Sequence, residues 1–304
     1  MRQDRQVMEL RFHRRCLIDF AALTRLVTYR EGTLLGRMFS NAVVAIALLC
    51  CFPASLWAQL ATADSELEQG VEASRDARYE DAVQHFQRSI SLDPRNETAH
   101  FYLATIYYQL YMPSVDTPEN LQMGQAAINQ YQNVFDLDPK SEEAVKSIAH
   151  LYLQMKKFEE AKKYYSKAIE LTPNDPEAYY TIGVIDWTEV YQPRMELRNK
   201  LGLPPDKPLI NAAECWQLRS ANQDGVKDGI KMLTEARKLR PDYDDAMAYM
   251  NLMYRERADI QCNDDKAYKA DVRTADRWVD LTMATKKRKA ENSKPSGETG
   301  LPQP

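Results

Sequence analysis

The chain has 304 residues with 40 basic and 44 acidic groups, a net charge of −4. At 44% hydrophobic and 28% charged residues it has the composition of a globular protein, not of a disordered one. Only 10 glycines argue against a β-rich fold, and the acidic balance argues against a general nucleic-acid role, because neutralising phosphates needs the opposite sign.

The N-terminal residues read differently from the rest. Ala42–Phe52 (AVVAIALLCCF) is an uninterrupted apolar run, preceded by Arg30 and Arg37 and followed by Pro53-Ala54-Ser55-Leu56-Trp57-Ala58. A basic flank, a short apolar core and a small residue at the cut are the layout of a secretory signal peptide, and the run falls short of the ~20 residues of a membrane span. The expectation is a signal peptide over 38–58, cleaved after Ala58, and export to a bacterial periplasm. Residues 1–37 carry eight arginines, no lysine and four acids. They read as a leader or a mis-assigned start, with Met38 as the favoured beginning. Cys50 follows Leu49, whereas a lipidated cysteine normally follows a small residue, so lipidation is the lesser alternative. Membrane contact is expected only if the leader is uncleaved or lipidated. Without residues 1–58 the balance is 32 basic against 40 acidic groups, or −8. That charge suits a soluble protein or one that prefers basic partners.

Downstream, short amphipathic segments recur. The first unit carries Gly70, Ala82, Phe86, Ser89 and Leu92 and closes at Pro94. Its first helix has Glu66 and Gln69 at positions that are usually apolar, which suits an end unit with one face in water. The second has His100, Leu103-Ala104 and Tyr107, then Ala127, Tyr131, Val134, Leu137 and Pro139. An insertion near 112–120 separates its helices, and Thr117-Pro118-Glu119 reads as an N-cap, a proline at the first helical position and an acid at the positive helix end. The third unit is the clearest: Val145, Ile148-Ala149 and Tyr152, then Ala161, Tyr165, Ala168 and Pro173. Apolar residues at i, i+3, i+4 and i+7 mark one buried stripe per helix.

The fourth unit begins at Asp175-Pro176-Glu177, another cap signature, with Tyr179 and Ile182-Gly183, then Gly229, Leu233, Ala236, Leu239 and Pro241. Residues 192–208 read as an excursion, because Leu203-Pro204-Pro205-Asp206-Lys207-Pro208 breaks any helix. Ile210–Arg240 then reads as a long helix, irregular near Gly225. A fifth unit has Met247, Met250-Asn251 and Tyr254. Its second helix is expected over Lys266–Thr285, with Ala270, Val272, Ala275, Trp278, Val279 and Met283 as the apolar stripe. Residues 286–304 form a basic and polar tail, expected to be disordered; Lys286-Lys287-Arg288-Lys289 reads as the solvated last turn of a helix.

Pro139 and Pro173 stand 34 residues apart. With that period and the order large residue, Leu-Gly/Ala, Tyr, then Ala, Phe/Tyr, Ala, Pro, the chain resembles the tetratricopeptide repeat (TPR) family from Asp64 to about Met283. The resemblance implies an all-α fold, an α-solenoid of about five helix pairs with two insertions, spanning 59–285. One pair cannot bury its own stripe, whereas a stack can. The resemblance also implies a concave groove lined by the first helix of each pair. Carried over residue by residue, its lining includes Phe101 and Tyr108, Lys146 and His150, Tyr180, Val184 and Trp187, and Arg255. This is an aromatic surface with few charges, suited to a protein or peptide partner. The competing reading is that neighbouring repeats or the 192–208 excursion cover these rings. Chaperone-binding members of the family hold a peptide C-terminus with Lys, Asn and Arg at these positions; Phe101, Tyr180 and Val184 stand there instead, so no carboxylate clamp is expected.

No catalytic constellation stands out. His85, His100 and His150 fall on different repeats, and no zinc-ligand spacing, phosphate-cradling loop or nucleophile elbow is present. The expectation is no metal, no cofactor and no enzyme. After Ala58 two cysteines remain, Cys215 and Cys262. In an oxidising compartment they could pair and pin the inserted helix to the last repeat; two independent core residues is the alternative. The expected function is a non-catalytic protein-interaction scaffold. The alternatives are a membrane-tethered envelope-assembly factor and a glycan- or small-ligand-binding protein.

Overall fold

The computed structural model describes residues 62–204, 207–209 and 212–293. The expectations for residues 1–37 and 38–58, and for the tail beyond Ser293, lie outside them. Among the described residues the elements are ten α-helices and no strand, arranged as five consecutive antiparallel pairs. These are α1 (Ala63–Arg75) with α2 (Tyr79–Leu92), α3 (Glu97–Leu110) with α4 (Pro118–Leu137), α5 (Glu142–Gln154) with α6 (Phe158–Leu171), α7 (Pro176–Leu201) with α8 (Ala212–Leu239), and α9 (Asp244–Asp259) with α10 (Asp265–Asn292). The fold is an all-α solenoid.

The local signals place the helix ends. Thr117 Oγ1 accepts from Asn120 N–H with Pro118 at the first position of α4, and the Asp175 carboxylate accepts from Glu177 N–H ahead of Pro176 in α7. Asn96 caps α3 in the same way. Each cap satisfies a donor that the first helical turn leaves orphaned, worth about 1 kcal/mol.

The core is a string of clusters in which each pair is completed by the next. Ala73, Ala82 and Phe86 of the first pair pack with Leu103 and Ile106 of α3. Tyr131 and Val134 of α4 pack with Ile148 and Leu151 of α5. Ala161, Tyr165 and Ala168 of α6 pack with Ala178, Ile182 and Ile185 of α7. Each large side chain buried in this way, such as Phe86 or Leu151, contributes roughly 1.5–3 kcal/mol.

The structure departs from the sequence reading in five places. The first insertion is a shorter loop over 111–117, and the remaining extra residues lengthen α4. Asn120, expected in the loop, is a buried helical residue that folds the loop over itself: it accepts from Met112 N–H and donates to the Met112 and Val115 carbonyls.

The second departure is at 192–208, where α7 continues as one helix to Leu201 and only the part beyond Gly202 is irregular. Pro193 lies inside that helix, where a proline strips a hydrogen bond from the turn before it. The Val190 carbonyl in that turn receives Asn222 Nδ2 of α8 at 2.7 Å, and Asn222 is buried. The carbonyl that Pro193 leaves without its helical donor is that of Glu189, four residues back; the Asn222 contact, one residue further on, ties α7 to α8 beside the proline. The extension packs along α8 and the end of α9, where Leu209 is buried in the core cluster of the last two pairs. Leu197, Leu201 and Leu203 of the extension pack against the same cluster as Tyr180 and Trp187 of the expected groove.

Third, α8 runs without interruption through Gly225. A side chain there would place Cβ 2.8 Å from Val190 Cγ1, so the glycine permits close approach of α7 and α8.

Fourth, α10 extends to Asn292, so residues 286–292 are helical. Lys289 Nζ reaches Asp244 Oδ1 at 2.5 Å, tying the last turn of α10 to the first turn of α9. The packed face of α10 runs through Asp271, Ala275, Thr282 and Thr285, whereas Val279 and Met283 of the expected stripe are exposed, Met283 at 64%. The last helix has a neighbour on one side, and polar side chains that find partners can occupy that side.

Fifth, Glu66 does not face water. It is buried, with Oε2 2.7 Å from His85 Nδ1 and 2.9 Å from Arg88 Nε. The hydrogen bond to His85, and after it the one from Arg88, holds its carboxyl below the ordinary glutamate value. A depressed carboxylate stabilises the fold above its unfolded pKa and ceases to do so as pH falls through the folded one. We therefore expect α1 to loosen first on acidification below about pH 4.5, the ordinary glutamate range. Hydrogen exchange should show protection in α1 falling ahead of α5, and Glu66→Gln should abolish that pH dependence. Uniform loss across the solenoid would contradict it.

Two covalent and electrostatic ties hold the C-terminal pairs together. Cys215 on α8 and Cys262 in the α9–α10 turn form a disulfide, with Cα atoms 5.6 Å apart. Beside it, Arg194 and Arg198 from the extension of α7 meet Glu256 and Asp259 of α9. Arg194 Nε lies 2.8 Å from Glu256 Oε2, Arg194 Nη1 3.1 Å from Asp259 Oδ2, and Arg198 Nε 3.4 Å from the same oxygen. Arg198 also donates twice to the Lys207 carbonyl, both at 2.7 Å, which anchors the irregular segment. Arg198 is 2% exposed and Glu256 1%.

Candidate binding groove

The first helices of successive pairs carry the expected groove residues, and the structure sorts them into groups. Tyr108 of α3 meets Lys146 and His150 of α5 in a wide hollow of about 480 Å³, whose other walls are Glu142, Glu143 and Ser147. Tyr108 Oη lies 2.6 Å from His150 Nδ1. Burial lowers the His150 pKa and raises that of Tyr108, so at neutral pH the pair is a phenol and an uncharged imidazole sharing one hydrogen bond. Lys146 is paired with Glu142 and, at 2.6 Å, with Asp175. Burial works against its charge, but those two carboxylates outweigh burial and keep its pKa above the usual lysine value. The hollow is thus acidic on balance.

A second group is aromatic. Tyr180 stacks on Tyr243 with ring centres 4.9 Å apart and meets Tyr249 edge-on at 5.7 Å. Trp187 meets the same Tyr249 at 5.3 Å and Tyr191 at 4.8 Å. Val184 lies between Tyr180 and Trp187 in sequence on α7 and is half-buried. Through Tyr243 and Tyr249 the following repeat packs on Tyr180, and through Tyr249 on Trp187. Tyr243 and Tyr249 were missed. On α9 the family pattern pointed to Arg255, yet it is Tyr249 that meets α7. An aromatic among the methionines of that helix was the available signal.

Phe101 belongs to neither group: it packs edge-on against Tyr131 at 5.7 Å and Tyr102 at 6.3 Å. Arg255 is also apart, with Nε on Asn251 and Nη2 on Asp276 of α10 at 2.9 Å. Among the described residues no group of His, Cys, Asp or Glu is arranged to hold a metal ion, and no helix is long and apolar enough to cross a membrane.

Residues 78–110 and 149–187 match the family model of the TPR repeat. The chain is a tetratricopeptide-repeat protein. Its fold is similar to the crystal structure of MamA protein, with a TM-score of 0.50 at 14% identity over 76% of this chain and 95% of that one. Two further similar structures are YrrB, described as a TPR protein with an unusual peptide-binding site (TM-score 0.46, 13% identity, 78% and 98% covered), and the first TPR of Spaghetti (RPAP3) bound to an HSP90 peptide (TM-score 0.32, 23% identity, 38% and 83% covered). Among curated proteins none matches this sequence. Against the repeat pattern, α7 and α8 are the departure. They run to 26 and 28 residues as a pair, where α5 and α6 have 13 and 14; the terminal α10, also 28 residues, is long on its own.

Proposed function

We propose that this TPR protein is an exported, non-catalytic scaffold that holds a peptide segment in the hollow between α3 and α5. The observation that carries the reading is the hollow itself: Tyr108 and His150 present polar, half-buried rings, and Glu142 and Glu143 leave it acidic despite Lys146. Such a surface favours a segment with a basic side chain near an apolar or aromatic one. The spent charge of Lys146 argues against capture of a free carboxylate there. Export is supported by the signal-like N-terminus and by a disulfide, which persists in oxidising compartments.

The test is crosslinking co-purification from native cells, with wild type beside a Glu143→Lys/His150→Ala variant of unchanged circular dichroism. We expect a partner captured by the wild type and reduced at least tenfold in the variant. Equal capture by both would move the interface out of the hollow.

A further inference from the structure

A second concavity lies between α8 and the C-terminal end of α9, sharing no residue with the groove. Its volume is about 270 Å³. The floor is apolar, made by Val226, Ile230 and Ile260, and the rim carries Arg219, Lys227 and Arg257. Arg257 is held in place by the buried Asp271, with Nε at 3.0 Å, and the neighbouring Gln261 donates to the same carboxylate at 2.7 Å. Among the described residues, Arg219 and Lys227 have no carboxylate within ion-pair distance. Two unspent cations thus stand beside an apolar floor.

We propose that this concavity binds an acidic peptide segment, one that places an apolar side chain on the floor and a flanking carboxylate between Arg219 and Lys227. Two neighbouring features favour an extended peptide over a small free acid. The Arg219 guanidinium lies 5.2 Å over the ring of Trp216, which is 50% exposed beside the rim and offers a continuing contact surface. A smaller hollow of about 140 Å³ shares Gln261 with the first; Asp264 and Asp265 line it, so the carboxylates of the segment belong at Arg219 and Lys227 and only an uncharged part of it suits the second hollow. A free acid would gain little contact against its lost translational freedom, whereas a peptide adds contacts beyond the first hollow.

The test uses fluorescence anisotropy on the full chain with a short fluorescein-labelled peptide carrying one leucine between two glutamates. The expected result is saturable binding, weaker in high salt because the cations are exposed. Binding should fall at least tenfold in Arg219→Gln/Lys227→Gln and stay unchanged in Glu143→Lys/His150→Ala. Both rim residues sit on the surface of α8, so the first variant is expected to fold, and its circular dichroism should match the wild type. Three outcomes would overturn the proposal: no saturable binding, equal binding of the peptide with glutamines for glutamates, or full retention in the rim variant. Competition by N-acetyl-leucine as effective as that by the peptide would overturn the peptide assignment.

Discussion

Arg194→Met is expected to lower the unfolding free energy by roughly 3–5 kcal/mol, the range for removing one partner of a buried ion pair. Arg194 is the residue that touches both Glu256 and Asp259. Methionine keeps most of the packed stem, so the loss reports charge more than volume. Without Arg194, Glu256 loses its direct ion pair and keeps only the longer-range attraction of Arg198, in a site where it is 1% exposed. The protein has one escape, which is to bind a proton. Burial already pushes the Glu256 carboxyl up to about 7, and the Arg194 charge opposes that rise, so its removal pushes the carboxyl higher.

The sign of the pH dependence follows. A carboxyl raised in the folded state leaves stability intact below its unfolded pKa and reduces it as pH climbs through the folded one. The defect of Arg194→Met should therefore be smaller near pH 5 than near pH 8. Urea unfolding at both pH values measures it. A loss under about 1 kcal/mol, equal at both, would place the cluster with solvent-exposed pairs.

The second large effect is expected from reducing the Cys215–Cys262 disulfide. The bridge spans 47 residues, and cross-links over loops of that size typically contribute 2–4 kcal/mol by restricting the unfolded chain. Reductant, or Cys215→Ala/Cys262→Ala, should lower the urea midpoint by a matching amount. The loss should concentrate in α8, α9 and α10, with α5 retaining its hydrogen-exchange protection. Labelling of both cysteines by iodoacetamide in the denatured, unreduced protein would show that no bridge exists. Identical midpoints with and without reductant would show that it contributes nothing. Both ties act on one feature, the lengthened α7–α8 pair, which no neighbouring repeat covers in the standard way.

The groove was legible only in part. Tyr108, Lys146 and His150 could be read because they sit on well-patterned first helices, where position in the repeat dictates direction. Tyr249 could not, because a rotation of one residue within α9 turns one face into another. Arg255 was drawn away by Asp276, a partner on the following helix that no spacing rule connects to it.

The sequence by itself determined the repeat. The prolines near each repeat's end, the apolar stripes and the caps at Thr117 and Asp175 act within one or two helical turns, so their physics is local and readable. The proline-rich 203–208 segment likewise excludes a helix, whereas the reach of α7 to Leu201, closed by Gly202 in the left-handed conformation at φ 63°, was not read from sequence. Only the tertiary structure decided what local rules forbid or leave open. Pro193 stays inside a helix whose neighbouring turn is fastened to α8 by Asn222, a residue distant in sequence that donates to the Val190 carbonyl. Glu66 reads as a water-facing residue of an end unit, and Arg198, Glu256 and Asp259 carry no local signal of burial; all four are buried because their partners come from elsewhere in the chain. A charge on a single helix has no means of declaring its partner; only the packing of the solenoid brings the two signs together.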